Sequence, residues 1–189
     1  EIELTYGKNI KQYIENLTIE DKHVAMFGAI SLKKDGEHKQ MIETLRKDTS
    51  VILNQIEKII ERFRKYLPVG DVEKKSFGEV FTPFSLVNEM LDTLPVDVWS
   101  NPKLKWGDFC NGIGNFMIVV VKRLMIGLES WEPNENKRYK HIMENMIYVA
   151  ELQIKNMFLW MVSMDPKSKL KLNLYRGDSL SSEFDKHIK

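Results

Sequence analysis

Between Leu104 and Asp178, short apolar runs alternate with longer stretches of helical period, and this alternation limits the chain to few folds. Leu104 to Phe109 reads as a short strand, Met146 to Ala150 as a buried strand and Leu170 to Tyr175 as a third. The helical stretches are Phe116 to Leu128, residues 137–145 and Gln153 to Met164, with a polar loop from Glu129 to Asn136. Strand, helix, strand, helix, strand predicts an α/β fold: a parallel sheet with helices on its faces.

The part before this is different. Residues 1–67 read as helical. From Lys39 to Leu67 the clearest signal is Ile52, Ile56, Ile59, Ile60, Phe63 and Leu67, spaced by three and four, with charged residues between them. Pro68 and Gly70 end that helix. Acids interleave with bases on its polar face, which favours a packing helix over a DNA-binding one. Residues 68–77 read as a hinge, so two parts are expected: a helical lobe over 1–70 and a main domain over 71–189. In the main domain Thr82 and Pro83 look like a helix start, with threonine as N-cap and proline at the first helical position. Phe84, Val87, Leu91 and Leu94 supply the buried face of that helix, and Pro95 stops it.

A chain of 189 residues can bury one sizeable core. Twenty-eight basic residues against 27 acidic ones leave a net charge of +1, which excludes a strongly basic nucleic-acid clamp or an acidic tail. A single cysteine, Cys110, excludes a disulfide framework and a cysteine-built zinc site. The four histidines are scattered, and no metal site is expected. No apolar run reaches the ~18–20 residues of a membrane span, so no membrane partner is expected and the cytoplasm is the expected compartment. Starting at Glu1 without a methionine, the chain reads as a trimmed or processed product.

The motif that carries chemistry is Asp108-Phe-Cys-Asn-Gly-Ile-Gly-Asn-Phe116, where a strand gives way to a helix. Gly112 and Gly114 permit backbone conformations barred to other residues and let a ligand come close. The helix that follows offers free N–H groups, and Asp108 can accept from an ammonium or a hydroxyl. A dinucleotide fingerprint needs a third glycine where Met117 stands, and a phosphate loop needs Gly-Lys-Ser/Thr. Neither reading fits, and a tight turn without a ligand stays open on this motif alone. Glu151 ends the second strand, where a carboxylate can hold both hydroxyls of a ribose. Asp178 follows the third, where an acid can accept from an exocyclic amine. Taken singly these are solvated loop acids or caps. Together, three acids at the ends of three strands suit a ligand with an ammonium, a ribose and an adenine, and no phosphate. Trp106 and Trp160 read as core residues, and Cys110 as a buried, inert thiol.

Gly78-Glu-Val-Phe-Thr-Pro83 followed by the Asp108–Phe116 motif resembles the S-adenosylmethionine-binding half of DNA adenine N6-methyltransferases. The motif order is similar to the gamma group, as in the modification parts of type I and type IIG restriction–modification systems. The resemblance covers roughly residues 76–180. It implies a partial Rossmann-like class I methyltransferase sheet after the helical lobe. It also implies S-adenosylmethionine as cofactor, held by Phe81, Thr82, Asp108, Gly112, Gly114, Phe116, Glu151, Leu152 and Asp178. Thr82 maps to the contact with the methionine carboxylate, Glu151 to the ribose acid, Leu152 to the adenine packing residue and Asp178 to the adenine-binding acid. Phe109, Asn111 and Ile113 depart from the family's proline, cysteine and serine.

The family's catalytic Asn/Asp-Pro-Pro-Tyr/Phe motif belongs shortly after the adenine-binding acid. This chain has no Pro-Pro pair, and Asp165-Pro166-Lys167 does not substitute. That motif grips the amine of a flipped adenine for attack on the sulfonium methyl, so no catalytic residue is assigned here. The resemblance implies double-stranded DNA as partner through regions outside this chain, with the N-terminal helices free to meet a protein partner. Two rivals remain: a catalytically inactive module used for assembly, and a methyltransferase acting on RNA or protein.

Overall fold

The computed structural model describes residues 81–165, 169–182 and Phe184. The helical lobe, the hinge and the boundary near residue 70 lie outside these residues. The described residues fall into two units, one of 81–153 with 171–182 and Phe184, the other of 154–165 with Lys169 and Leu170.

The first unit holds α1 (Phe84–Leu91), a 3-10 turn (Val96–Ser100), β1 (Trp106–Asp108), α2 (Asn115–Gly127), α3 (Glu135–His141) running into a π turn (Ile142–Met146), β2 (Ile147–Glu151) and β3 (Asn173–Arg176). The strands form one parallel sheet in the order β1-β2-β3. This is the expected α/β arrangement, compatible with part of a Rossmann-like sheet. No described helix is long and apolar enough to cross a membrane.

α2 carries the core. Met117 through Val121, Leu124 and Met125 are buried on it, because its sequence is apolar almost all round. α1 packs against it through Val87 and Leu91. Arg123 fastens the pair: its guanidinium donates to the Asn88 carbonyl at 3.1 Å, to Asn88 Oδ1 at 3.0 Å and to Asp92 at 2.6 Å. The same guanidinium lies over Trp99, which stacks on Trp106 with centroids 4.8 Å apart. Ile142, Met143, Met146 and Ile147 close the core from the π turn and β2.

Two expectations about α1 need correction. The helix starts at Phe84 with Pro83 as N-cap, and no side chain caps it. Thr82 therefore sits one residue outside, and the Pro83 carbonyl accepts the Val87 N–H at 3.0 Å. Leu94 is exposed because the helix ends at Leu91, before Pro95 is reached. The other predicted elements fall within three residues of their observed ends.

Gly107, Tyr148 and Asn173 lie in one row across the sheet. With Phe109, Tyr175 and Phe184 they line a cleft of about 420 Å³. The Phe109 ring lies so close over Gly107 that a Cβ there would meet it at 2.8 Å. In the second unit, α4 (Ile154–Met164) buries Met157, Phe158, Leu159, Trp160, Met161 and Met164. The Asp165 carboxylate accepts the Lys169 and Leu170 N–H groups at 3.1 and 2.9 Å.

Gly127 tests the packing of the 3-10 turn on α2. A Cβ there would run into the Trp99 carbonyl, whose carbon would stand 2.7 Å away. Helix propensity alone favours alanine over glycine by about 1 kcal/mol. Backbone cannot rotate aside, so Gly127→Ala is expected to lose about 1–3 kcal/mol instead. Urea unfolding followed by tryptophan fluorescence measures the sign.

Candidate functional site

The carboxyl ends of the three strands converge through backbone hydrogen bonds. The Asn111 N–H donates to the Ala150 carbonyl at 3.0 Å, and the Gly177 N–H donates to the Glu151 carbonyl at 3.1 Å. One side chain reinforces this knot. Glu151 is buried, and its Oε2 accepts the Gly112 N–H at 2.6 Å while its Oε1 accepts the Gln153 N–H at 2.7 Å. Both are short charge-assisted bonds, the strong kind. Glu151 thus ties the glycine loop to the end of β2 across 39 residues.

The loop has the backbone its glycines were expected to give. Gly112 has φ 54° and Gly114 φ 91°, and Gly114 is the N-cap of α2. Its own N–H donates to the Asn111 carbonyl at 2.8 Å, and its carbonyl accepts the Ile118 N–H at 2.9 Å. The Phe81 ring stands 3.4 Å from where a Cβ on Gly112 would lie, an ordinary contact, so it is the left-handed φ that disfavours a larger residue there. Ile113, between the two glycines, is buried in the core. Asn111 and Asn115 are both buried, and among the described residues the Oδ1 of each has no hydrogen-bond partner.

Asp108 leaves β1 through an Asx turn, its Oδ1 accepting the Cys110 N–H at 3.1 Å. Burial pushes its carboxyl above the ordinary range, and the Cys110 N–H offsets only part of this. The same turn carries Cys110 out of the core: the thiol is exposed, which corrects the expectation of a buried one. Asp178 is exposed in its own turn, with Oδ1 accepting the Leu180 N–H at 2.9 Å. Leu152 is 46% exposed beside Glu151, and Phe116 is half-buried.

Phe81, Gly112, Gly114 and Glu151 are therefore in one knot, with Asp108 opening the loop. Thr82 joins through its carbonyl, which accepts Asn115 Nδ2 at 2.6 Å. Asp178 stands one residue past the Gly177 bond, without a described side-chain contact to the loop. Asn115 and Gln153 were not foreseen. The first had a signal: it is the polar residue that opens α2 directly ahead of an apolar run from Phe116 to Val121.

Two outcomes test this geometry. In Glu151→Gln an amide NH₂ must face either the Gly112 or the Gln153 N–H. The expected loss is about 1.5–3 kcal/mol, the scale of one charge-assisted bond, with faster exchange of the Gly112 amide. For Asp108 the raised folded pKa means that the native state holds its proton more tightly than the unfolded chain. Stability therefore falls as pH rises from the unfolded to the folded pKa, and stays lower above it. Asp108→Asn keeps the acceptor for Cys110 and removes the charge. It should be at least as stable as the wild type near neutral pH, with the difference shrinking in urea titrations taken down towards about pH 4.

No family model matches the chain. Over 73 residues it is 47% identical to a Mycoplasma pneumoniae protein named "Uncharacterized adenine-specific methylase". The match takes in 37% of this chain and spans only 17% of that relative's length.

Proposed function

We propose that this chain is the S-adenosylmethionine-binding part of a site-specific DNA methyltransferase acting on adenine N6. The observation that carries the proposal is the knot at the strand ends, where Glu151 holds the Gly112 N–H at 2.6 Å beneath Phe81. It joins the segments whose sequences resemble that family. The name of the Mycoplasma pneumoniae relative supports the same reading.

The donor and acceptor chemistry fits such a ligand. Asp108, Glu151 and Asp178 are carboxylates at or just past the ends of successive strands, suited to an ammonium, ribose hydroxyls and an exocyclic amine, and hostile to a phosphate. The left-handed glycines keep side chains out of the path of the ligand. In this reading Asp108 holds the ammonium and Thr82 the methionine carboxylate. Glu151 accepts from the ribose, while Leu152 and Asp178 meet the adenine face and edge. The cofactor, when bound, supplies an electrophilic methyl on a sulfonium. The chain's own contribution is to bind and orient it. The gripping of the target adenine, the recognition of DNA and any place in a restriction–modification system belong to regions of the longer protein.

Titration calorimetry of S-adenosylmethionine into this chain tests the reading. The expected result is micromolar affinity, about −8 kcal/mol. Asp178→Ala should weaken it about tenfold or more without touching the loop, since the Asp178 carboxylate bonds only its own turn among the described contacts. Glu151→Ala should abolish it. No binding at millimolar ligand, in this chain and in the longer protein alike, would sink the reading and favour an assembly module.

A further inference from the structure

Asn115 joins two segments that lie 33 residues apart. It opens α2 directly after left-handed Gly114 and is only 5% exposed. Its Nδ2 donates to the Thr82 carbonyl at 2.6 Å, while Oδ1 at the other end of the same amide is buried without a partner among the described residues. Stability alone does not explain an amide there. The rest of the first turns of α2 are apolar, and a buried amide with one unpaired end is a cost that an apolar side chain would avoid. The bond to Thr82 is what the polar residue provides. It fixes the Thr82 backbone directly ahead of the first bond of α1, from the Val87 N–H to the Pro83 carbonyl. Phe81, next in that segment, is the ring that lies against Gly112.

We infer that Asn115 is a positioning residue, a strap that sets Phe81 and Thr82 against the glycine loop and thereby shapes the end of the site that takes the amino-acid portion of the ligand. This rests on the cofactor reading above. The strap acts through Thr82, so its loss falls on ligands that carry an amino-acid end. In that reading the nucleoside end falls to Glu151 and Asp178, whose described carboxylate bonds go to Gly112, Gln153 and Leu180.

The test uses the full chain with Asn115→Asp, which keeps the shape and loses the donor, and Asn115→Ala. Calorimetry compares S-adenosylhomocysteine with methylthioadenosine, the same nucleoside without the amino acid. The first should bind about tenfold weaker to both variants, the scale of one lost hydrogen-bonded contact, and the second within about twofold of wild type. Equal losses for both ligands would mark a merely structural residue and overturn the inference, as would no loss for either. Amide exchange without ligand is the second measurement. It should quicken at Val87 and Gly112 while β2 stays protected, and unchanged exchange overturns the strap. If wild type binds neither nucleoside, in this chain and in the longer protein alike, the cofactor reading fails and the exchange comparison alone decides the strap.

Discussion

The buried carboxylate of Glu151 is the constraint on which the site depends. A carboxylate out of water is costly unless its oxygens are met by donors. Here its donors include the backbone N–H groups of Gly112 and Gln153, so the glycine loop and the end of β2 both help to satisfy the charge. The condition works in both directions. The loop is anchored by the acid, and the acid is tolerable in the interior because of the loop. Bonds from Asn111 to Ala150 and from Gly177 to Glu151 extend the sheet's ladder past its strands, so β3 joins the same arrangement.

This arrangement gives the three acids unequal roles. Glu151 is already part of the framework, bonded to two backbone donors. Asp108 is partly withdrawn from water, which makes its negative charge costly and a cationic partner correspondingly favourable. Asp178 stays in solvent and supports only its own turn. A ligand that bridged the three would meet a rigid acceptor, a charge in need of a counter-charge and an adaptable surface group.

Much of this was legible in the residues. The strands were visible because buried parallel strands are short apolar runs, and α2 because its apolar stretch follows two glycines. Asp108, Glu151 and Asp178 were placed at or just past strand ends by that pattern alone. The misses share a cause. Thr82 and Pro83 have the chemistry of an N-cap pair, but cap chemistry does not say which of two neighbours leaves the helix first, and tertiary bonding of the Thr82 carbonyl to Asn115 decided it. Cys110 reads as a buried thiol because it stands in the glycine turn with no neighbouring base, yet an Asx turn reverses the outlook of the residues just after it. Asn115 and Gln153 act through bonds to distant backbone or to a neighbouring acid, and no period in the sequence records such bonds. The helical lobe lies outside the described residues.

The π turn at Ile142–Met146 sets where Glu151 stands. It closes with bonds one residue longer than those of an α-helix, and so absorbs one extra residue between α3 and β2. Deleting a single residue there would let the helix run on in α form and draw β2 along the sheet by one position. Successive strand residues face opposite sides, so the acid would trade places with its neighbour and turn away from Gly112. The turn is in effect a length gauge for the site. What it measures is the number of residues from His141 to Glu151, whatever side chains the turn carries.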